Sequence, residues 1–325
     1  MTRSRAHRGF TIIEMMVVII IIGILLGLLA PALSGVKRQA AIRAEQANLR
    51  TLHQAWMFYA KSFDDAAMPG YLNEDVQSVW GLNTKLPNNA AVPPQAAGPY
   101  TWRLLEYMSD NVSVLGGYRD INDPLDVGNP RTFAEEPAFG YNALYIGGWW
   151  QMETIGGNPT PRYRFANARA DRDGDGVPNE RYGVVARSLA QIERSSEVIV
   201  FSGSTHRPPG FYKINQSNQR EFPGSHYVVP PIVARDVHWQ LTSRPLASAG
   251  SFGLIPNFLG QQIRAGGLDE IDVLVEDSVP YARFGKQVSV VHVDGSVASE
   301  TFSSLADQRK WIHSANASDF RHLED

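Results

Sequence analysis

Few side chains in this sequence are spaced for chemistry, and the densest set lies between Asp171 and Glu180 in the segment DRDGDGVPNE. Asp171, Asp173 and Asp175 alternate there, and Gly176 stands sixth, where a calcium-binding loop turns sharply. Alternating carboxylates converge their oxygens on one hard cation, so the pattern predicts bound calcium, with the Val177 carbonyl and Asn179 as further ligands. The departure is at the twelfth position, where a bidentate Glu is replaced by Tyr182. Glu180 or a distant acid must then complete the shell; the alternative is a solvated acidic turn.

Elsewhere the residue types of catalysis are dispersed. His206, His226, His238 and His292 are scattered, and neither a His-Glu-x-x-His pair nor a Gly-x-Ser-x-Gly elbow occurs. His292 stands near Asp294, but a His on a strand just before an Asp-Gly turn is expected to pack. Trp149-Trp150 after Gly147-Gly148 offers a flat surface to a sugar, with core or subunit-interface packing the expected role. Cysteine is absent, which removes disulfides, thiolate nucleophiles, zinc-cysteine sites and iron-sulfur clusters. No phosphate-binding glycine loop is present, and the chain is expected not to be an enzyme. Lys and Arg number 30 against 33 Asp and Glu, a net charge of -3, so no nucleic-acid partner is expected.

One further ionisable residue is conspicuous by its surroundings. Glu14 stands at the head of MMVVIIIIGILLGLLA, Met15 to Ala30, in which every residue is apolar or Gly. That run approaches the roughly 20 residues of a bilayer-spanning helix, where an unpartnered carboxylate costs about 2.5 kcal/mol or more. The leader carries Arg3, Arg5 and Arg8 and no acid, so the N-terminus is expected in the cytoplasm and the remainder outside. A secretory signal peptide competes with this reading, because Ala30-Pro31-Ala32 before Leu33 fits a small-x-small cleavage site. Such a peptide has no use for Glu14.

These residues need elements to hold them. Beyond Pro31 the apolar positions Leu33, Val36, Ala40, Ala44, Ala47, Thr51/Leu52, Ala55 and Tyr59 recur at helical spacing, with Lys37, Arg38, Arg43, Glu45 and Arg50 between them. The pattern predicts one helix over 10–61, on the order of 80 Å long at its usual rise, whose transmembrane segment is 10–33 and whose second half lays one face on a head over 62–325. A break at Pro31 into two helices is the alternative. In the head a short helix is expected at Tyr100 to Met108, and strands at Phe139 to Ile146, Tyr182 to Ala186, Glu197 to Phe201, His226 to Val229 and Ile271 to Val275. Val288 to Val293, Asp294-Gly295 and Ser296 to Phe302 read as a hairpin with a two-residue turn. Helix first and strands later predict an α+β fold with an antiparallel sheet against the long helix. The composition, 43% hydrophobic and 19% charged, suits an ordered head.

The segment Gly9-Phe10-Thr11-Ile12-Ile13-Glu14 followed by the apolar run resembles the type IV prepilin signal shared by type IV pilins and type II secretion pseudopilins. The resemblance implies a nine-residue leader, 1–9, cut after Gly9 by a prepilin peptidase that methylates Phe10. It makes Glu14 the assembly residue, expected to meet the amino terminus of a neighbouring copy's Phe10. It also implies the other partners: further pilin-like subunits, an inner-membrane assembly platform with its ATPase, and the lipid bilayer. The implied location is the bacterial inner membrane, single-pass, with the head periplasmic or extracellular. FGYNALYIGG (Phe139 to Gly148), IERSSEVIVFSGS (Ile192 to Ser204) and VSVVHVDGSV (Val288 to Val297) look like a family of large bacterial pilin-like proteins with a C-terminal Asp-Gly hairpin. The acidic loop is similar to DxDGDG calcium loops of extracellular modules. Two functions follow as expectations: a structural subunit of a pilus-like or pseudopilus filament, or an exported soluble calcium-binding module or enzyme cleaved after Ala32.

Overall fold

The computed structural model describes residues 11–116, 129–163, 183–205, 224–233, 278–284 and 287–320, with the backbone of short strands between 213 and 257; within the first helix it describes side chains of 12–28, of Leu33 and from 35 on. The chain divides into two compact units, 1–43 and 44–325.

Helix α1, Ile12–Ser62, belongs to both and passes through Pro31 as one helix. In the first unit the large apolar side chains from Ile12 to Leu28 are exposed, far more apolar surface than a soluble monomer carries. Among the described residues no helix is long and apolar enough to cross a membrane. The described part of the run, Ile12 to Leu28, falls short of the roughly 20 residues required, and the sequence continues it through Leu29 and Ala30.

The second unit is an α+β head. Its central sheet is antiparallel and is built on β5 (Ile199–Thr205), which pairs with β2 (Phe139–Tyr141), β12 (Val279–Pro280) and β13 (Val288–His292); β14 (Val297–Glu300) lies beyond β13. All residues of β5 and β13 are buried. The sheet is therefore covered on both faces there, and the polar Ser289 and His292 of VSVVH are buried along with its three valines. A second sheet joins β1 (Tyr71–Leu72), parallel to β3 (Trp149–Ile155), which forms a hairpin with β4 (Asn158–Tyr163). Short pairs β6–β7 (Lys213–Ile214, Arg220–Glu221), β8–β9 (Ile232–Val233, Asp236–Val237) and β10–β11 (Gln240–Pro245, Leu254–Asn257) complete the described strands.

The helical half of the head core comes from α1, α2 (Glu74–Trp80), α3 (Pro94–Ala97), α4 (Tyr100–Leu105) and α5 (Pro130–Glu135), with α6 (Phe302–Leu305) after the last strand. The expected helix at Tyr100 to Met108 is α4 followed by a 3-10 turn, Glu106–Met108.

Several expectations need correction. The face of α1 that packs on the head is Glu45, Leu49, Leu52, Trp56 and Ala60, while Ala40, Ala44 and Ala47 are exposed. Alanine suits either face, so burial follows the larger Leu49 and Trp56 side chains. Phe139 to Ile146 is a strand only to Tyr141. There the Asn142 amide donates to the Ile199 and Trp311 carbonyls, at 3.1 and 2.8 Å, and the chain turns. Within 183–186 the described chain is irregular, with one parallel bridge from Ala186 to Ile146, and His226 to Val229 contributes one bridge, Tyr227 to Tyr141. The expected strand over 271–275 lies outside the described residues.

Candidate functional site

At its N-terminal end α1 is closed by a reciprocal capping box. The Thr11 backbone N–H and hydroxyl donate to Glu14 Oε2 at 2.8 and 2.7 Å, and the Glu14 N–H donates to Thr11 Oγ1 at 3.3 Å. The spacing Thr-x-x-Glu ahead of an apolar run gives the sequence signal for it, and Thr11 is the functional residue that the motif reading leaves without a role. Thr11 holds the Glu14 carboxylate within the single chain, two residues from the predicted cleavage junction. Gly9 and Phe10 lie outside the described residues.

At the other end of the same helix, side chains lock α1 to the C-terminal hairpin. Ser289 on β13 donates to Glu45 Oε2 at 2.5 Å, and Arg283 Nε lies 4.0 Å from Glu45 Oε1. Arg283 also donates to the carbonyls of Ala138 and Ser204, so one guanidinium ties the helix carboxylate to the edge of β2 and to β5. Burial pushes the Glu45 carboxyl above its ordinary value, against the pull of Arg283 and Ser289. Two turns on, His53 Nε2 lies 2.9 Å from the Val293 carbonyl, an acceptor only, so this nitrogen carries the hydrogen. Burial holds the His53 ring below the ordinary histidine range. Beneath it Gly295 has φ +86, and a Cβ there would lie 3.0 Å from His53 Cε1. The Asp-Gly turn thus sits flat on the helix because its second residue has no side chain.

His292 packs as expected, buried, with Nδ1 facing the Ser296 carbonyl and hydroxyl at 3.2 and 3.1 Å. His226 is buried among Tyr71, Trp149 and Tyr227. His206 and His238 lie outside the described residues. Trp149 is a core residue stacked on Tyr71 at 4.2 Å, while Trp150 meets Trp80 edge-on at 4.9 Å. Trp150 and Trp80 line a cleft of about 240 Å³ with Tyr59, Phe63 and Arg187.

The loop residues Asp171, Asp173, Asp175, Val177, Asn179 and Glu180 also lie outside the described residues. Among the described residues no group of three or more acidic or histidine side chains is placed to hold a metal ion.

A family model described as the prokaryotic N-terminal methylation motif matches residues 4–30. Comparison with curated proteins and with solved structures gives no match. The match stops well short of the head, whose motifs it leaves unaddressed. It takes in Gly9, Phe10, the Thr11–Glu14 cap and the apolar run together, and on that ground the chain carries a type IV prepilin-like signal at its N-terminus.

Proposed function

We propose that this chain is a structural, non-enzymatic subunit of a type IV pilus-like or type II secretion pseudopilus filament. It is cut after Gly9, methylated at Phe10, anchored by its apolar helix in the inner membrane with the head outside, and drawn into the filament by an assembly platform. The observation that carries the reading is the methylation-motif match over 4–30 on a chain whose Glu14 opens a 51-residue helix. Glu14 fits that role chemically: in assembly its carboxylate would leave Thr11 for the amino group of a neighbouring Phe10, pairing two charges that are costly alone in apolar surroundings. The rival, an exported module cleaved after Ala32, requires scission within the continuous helix α1. In the subunit reading the loop over 171–180 binds calcium outside the membrane and orders a surface of the head. The deciding experiment is mass spectrometry of the mature N-terminus: a methylated Phe10 is expected, and a chain starting at Leu33 refutes the reading.

A further inference from the structure

The cleft bordered by Tyr59, Phe63, Trp80, Trp150 and Arg187 has no part in the subunit reading and lies wholly within the head unit. Trp150 is a fixed wall: its indole N–H donates to the Gly147 carbonyl at 2.8 Å, and its ring meets Trp80 at 70°. Tyr59 and Phe63, four residues apart at the end of α1, hold their ring centroids 4.5 Å from each other. Four aromatic rings thus wall a space of about 240 Å³. Sites for drug-sized ligands hold roughly 300–1,000 Å³, so this cleft suits a single ring.

Much of that aromatic surface stands in water. Among the described residues of the head, the exposed large apolar side chains are Phe58, Phe63, Val79, Trp80 and Leu82, all within 58–82. Phe63 leaves 52% of its surface exposed and Trp80 44%, and both line the cleft. Exposed aromatic faces gathered at a concavity mark a ligand site rather than a packing defect.

The polar groups narrow the class of ligand. Among the described residues the Tyr59 hydroxyl makes no hydrogen bond, so it can both donate to a ligand and accept from one. Charge around the cleft has both signs. Arg187 lines it, the exposed Asp64 and Asp65 join the wall residues Phe63 and Ala66, and Arg103 and Glu106 act on the Tyr59 phenol in opposite senses. Neither sign prevails, so the cleft does not select a charged ligand. Its aromatic faces suit C–H bonds, and its phenol and charged rim suit hydroxyl groups.

We propose that the cleft binds one uncharged pyranose ring of a glycan. The C–H face of the sugar lies on the Trp80 ring, and one of its hydroxyls exchanges a hydrogen bond with Tyr59. The site stands whether or not the chain assembles into a filament.

The test uses the full chain in a detergent without a sugar headgroup. Methyl glycosides of glucose, galactose, mannose and N-acetylglucosamine are titrated by saturation-transfer NMR. At least one is expected to bind in the millimolar range, with transfer strongest to the C–H protons of one ring face. Trp80→Ala, at an exposed position, should weaken binding at least about fivefold. Tyr59→Phe keeps the ring and removes only the hydroxyl, and should weaken it about threefold. Thermal melts equal to the parent's show that the variants fold; if Trp80→Ala melts early, Tyr59→Phe decides. Glucuronate and glucosamine, of opposite charge, should bind no more tightly than methyl glucoside. Four results overturn the proposal: no transfer to any of the glycosides, affinity unchanged in a folded variant, a charged sugar bound at least about tenfold more tightly, or phenol bound more tightly than every glycoside.

Discussion

Glu14 and Glu45 are the two acids of α1, and each is held by hydroxyl donors in different surroundings. At Glu14 the donors are the Thr11 hydroxyl and N–H. Assembly must exchange them for a partner on another copy, while the peptidase reads the Gly9 junction. Glu14→Ala is therefore expected to be exported and processed normally but to lower filament recovery by about a hundredfold or more, the scale of removing one member of a buried pair. Shearing and immunoblotting read both steps, and wild-type filament from the mutant would exclude a pairing role. At Glu45 the expectation concerns pH. Burial raises its value, so the native state keeps a proton that the unfolded chain has released. The resulting stabilisation is full below the ordinary value of 4.5 and is lost as pH rises through the raised native value. Buried His53 and His292 and half-buried His313 are shifted down by desolvation and work oppositely, losing stability as pH falls below 6.5. The difference between parent and Glu45→Gln isolates the carboxyl: acidification from neutrality should favour the parent relative to the variant. Parallel melting curves across that window would contradict it.

The hairpins show how a turn's surroundings set the cost of the same change. Gly295 combines φ +86 with a His53 ring that would lie 3.0 Å from an added methyl, whereas Gly156, at φ +57 in the β3–β4 turn, has nothing within 4 Å of that position. Gly295→Ala should cost roughly 1–3 kcal/mol by strain and crowding, and Gly156→Ala about 1 kcal/mol by backbone alone. Denaturant titration of the full chain in detergent measures both, and equal losses would contradict the packing of the turn on α1. The C-terminal hairpin is legible because Asp294-Gly295 punctuates two β-rich runs. The β3–β4 hairpin also has its signal, Gly156-Gly157, but Pro159 and Pro161 argue against a strand; β4 accommodates them because it is an edge. For the acidic loop the expectation is calcium binding at a dissociation constant of roughly 10⁻⁴ to 10⁻³ M. Titration calorimetry should lose that heat in Asp173→Ala and Asp175→Ala; heat retained in both would move the site elsewhere.

At the scale of the whole molecule, charge is partitioned along the chain. The leader carries three Arg and no acid, so cleavage after Gly9 should take the side-chain charge from -3 to -6. Intact-mass measurement together with isoelectric focusing checks this, and a mature chain retaining Arg3, Arg5 and Arg8 would refute it. What remains is a helix α1 with more basic than acidic residues, followed by residues 63–325 with more acidic than basic ones.

The sequence by itself determined the local features. The prepilin-like signal, the Thr-x-x-Glu spacing of the cap and the Asp-Gly turn are each written within a few consecutive residues, where spacing and side-chain type suffice; the continuity of α1 through Pro31, against the alternative of a break there, was decided by the structure. Tertiary structure decided which face of α1 is buried. Its alanines fit either side, and the choice fell to Leu49, Leu52 and Trp56 meeting a sheet assembled from residues more than eighty positions away. It likewise decided that Glu45 and His53, polar residues that periodicity would place in water, point inward. Their partners Ser289, Arg283 and Val293 lie some 240 residues along the chain. A buried polar side chain is tolerated only where such a partner arrives, and local spacing carries no record of that arrival.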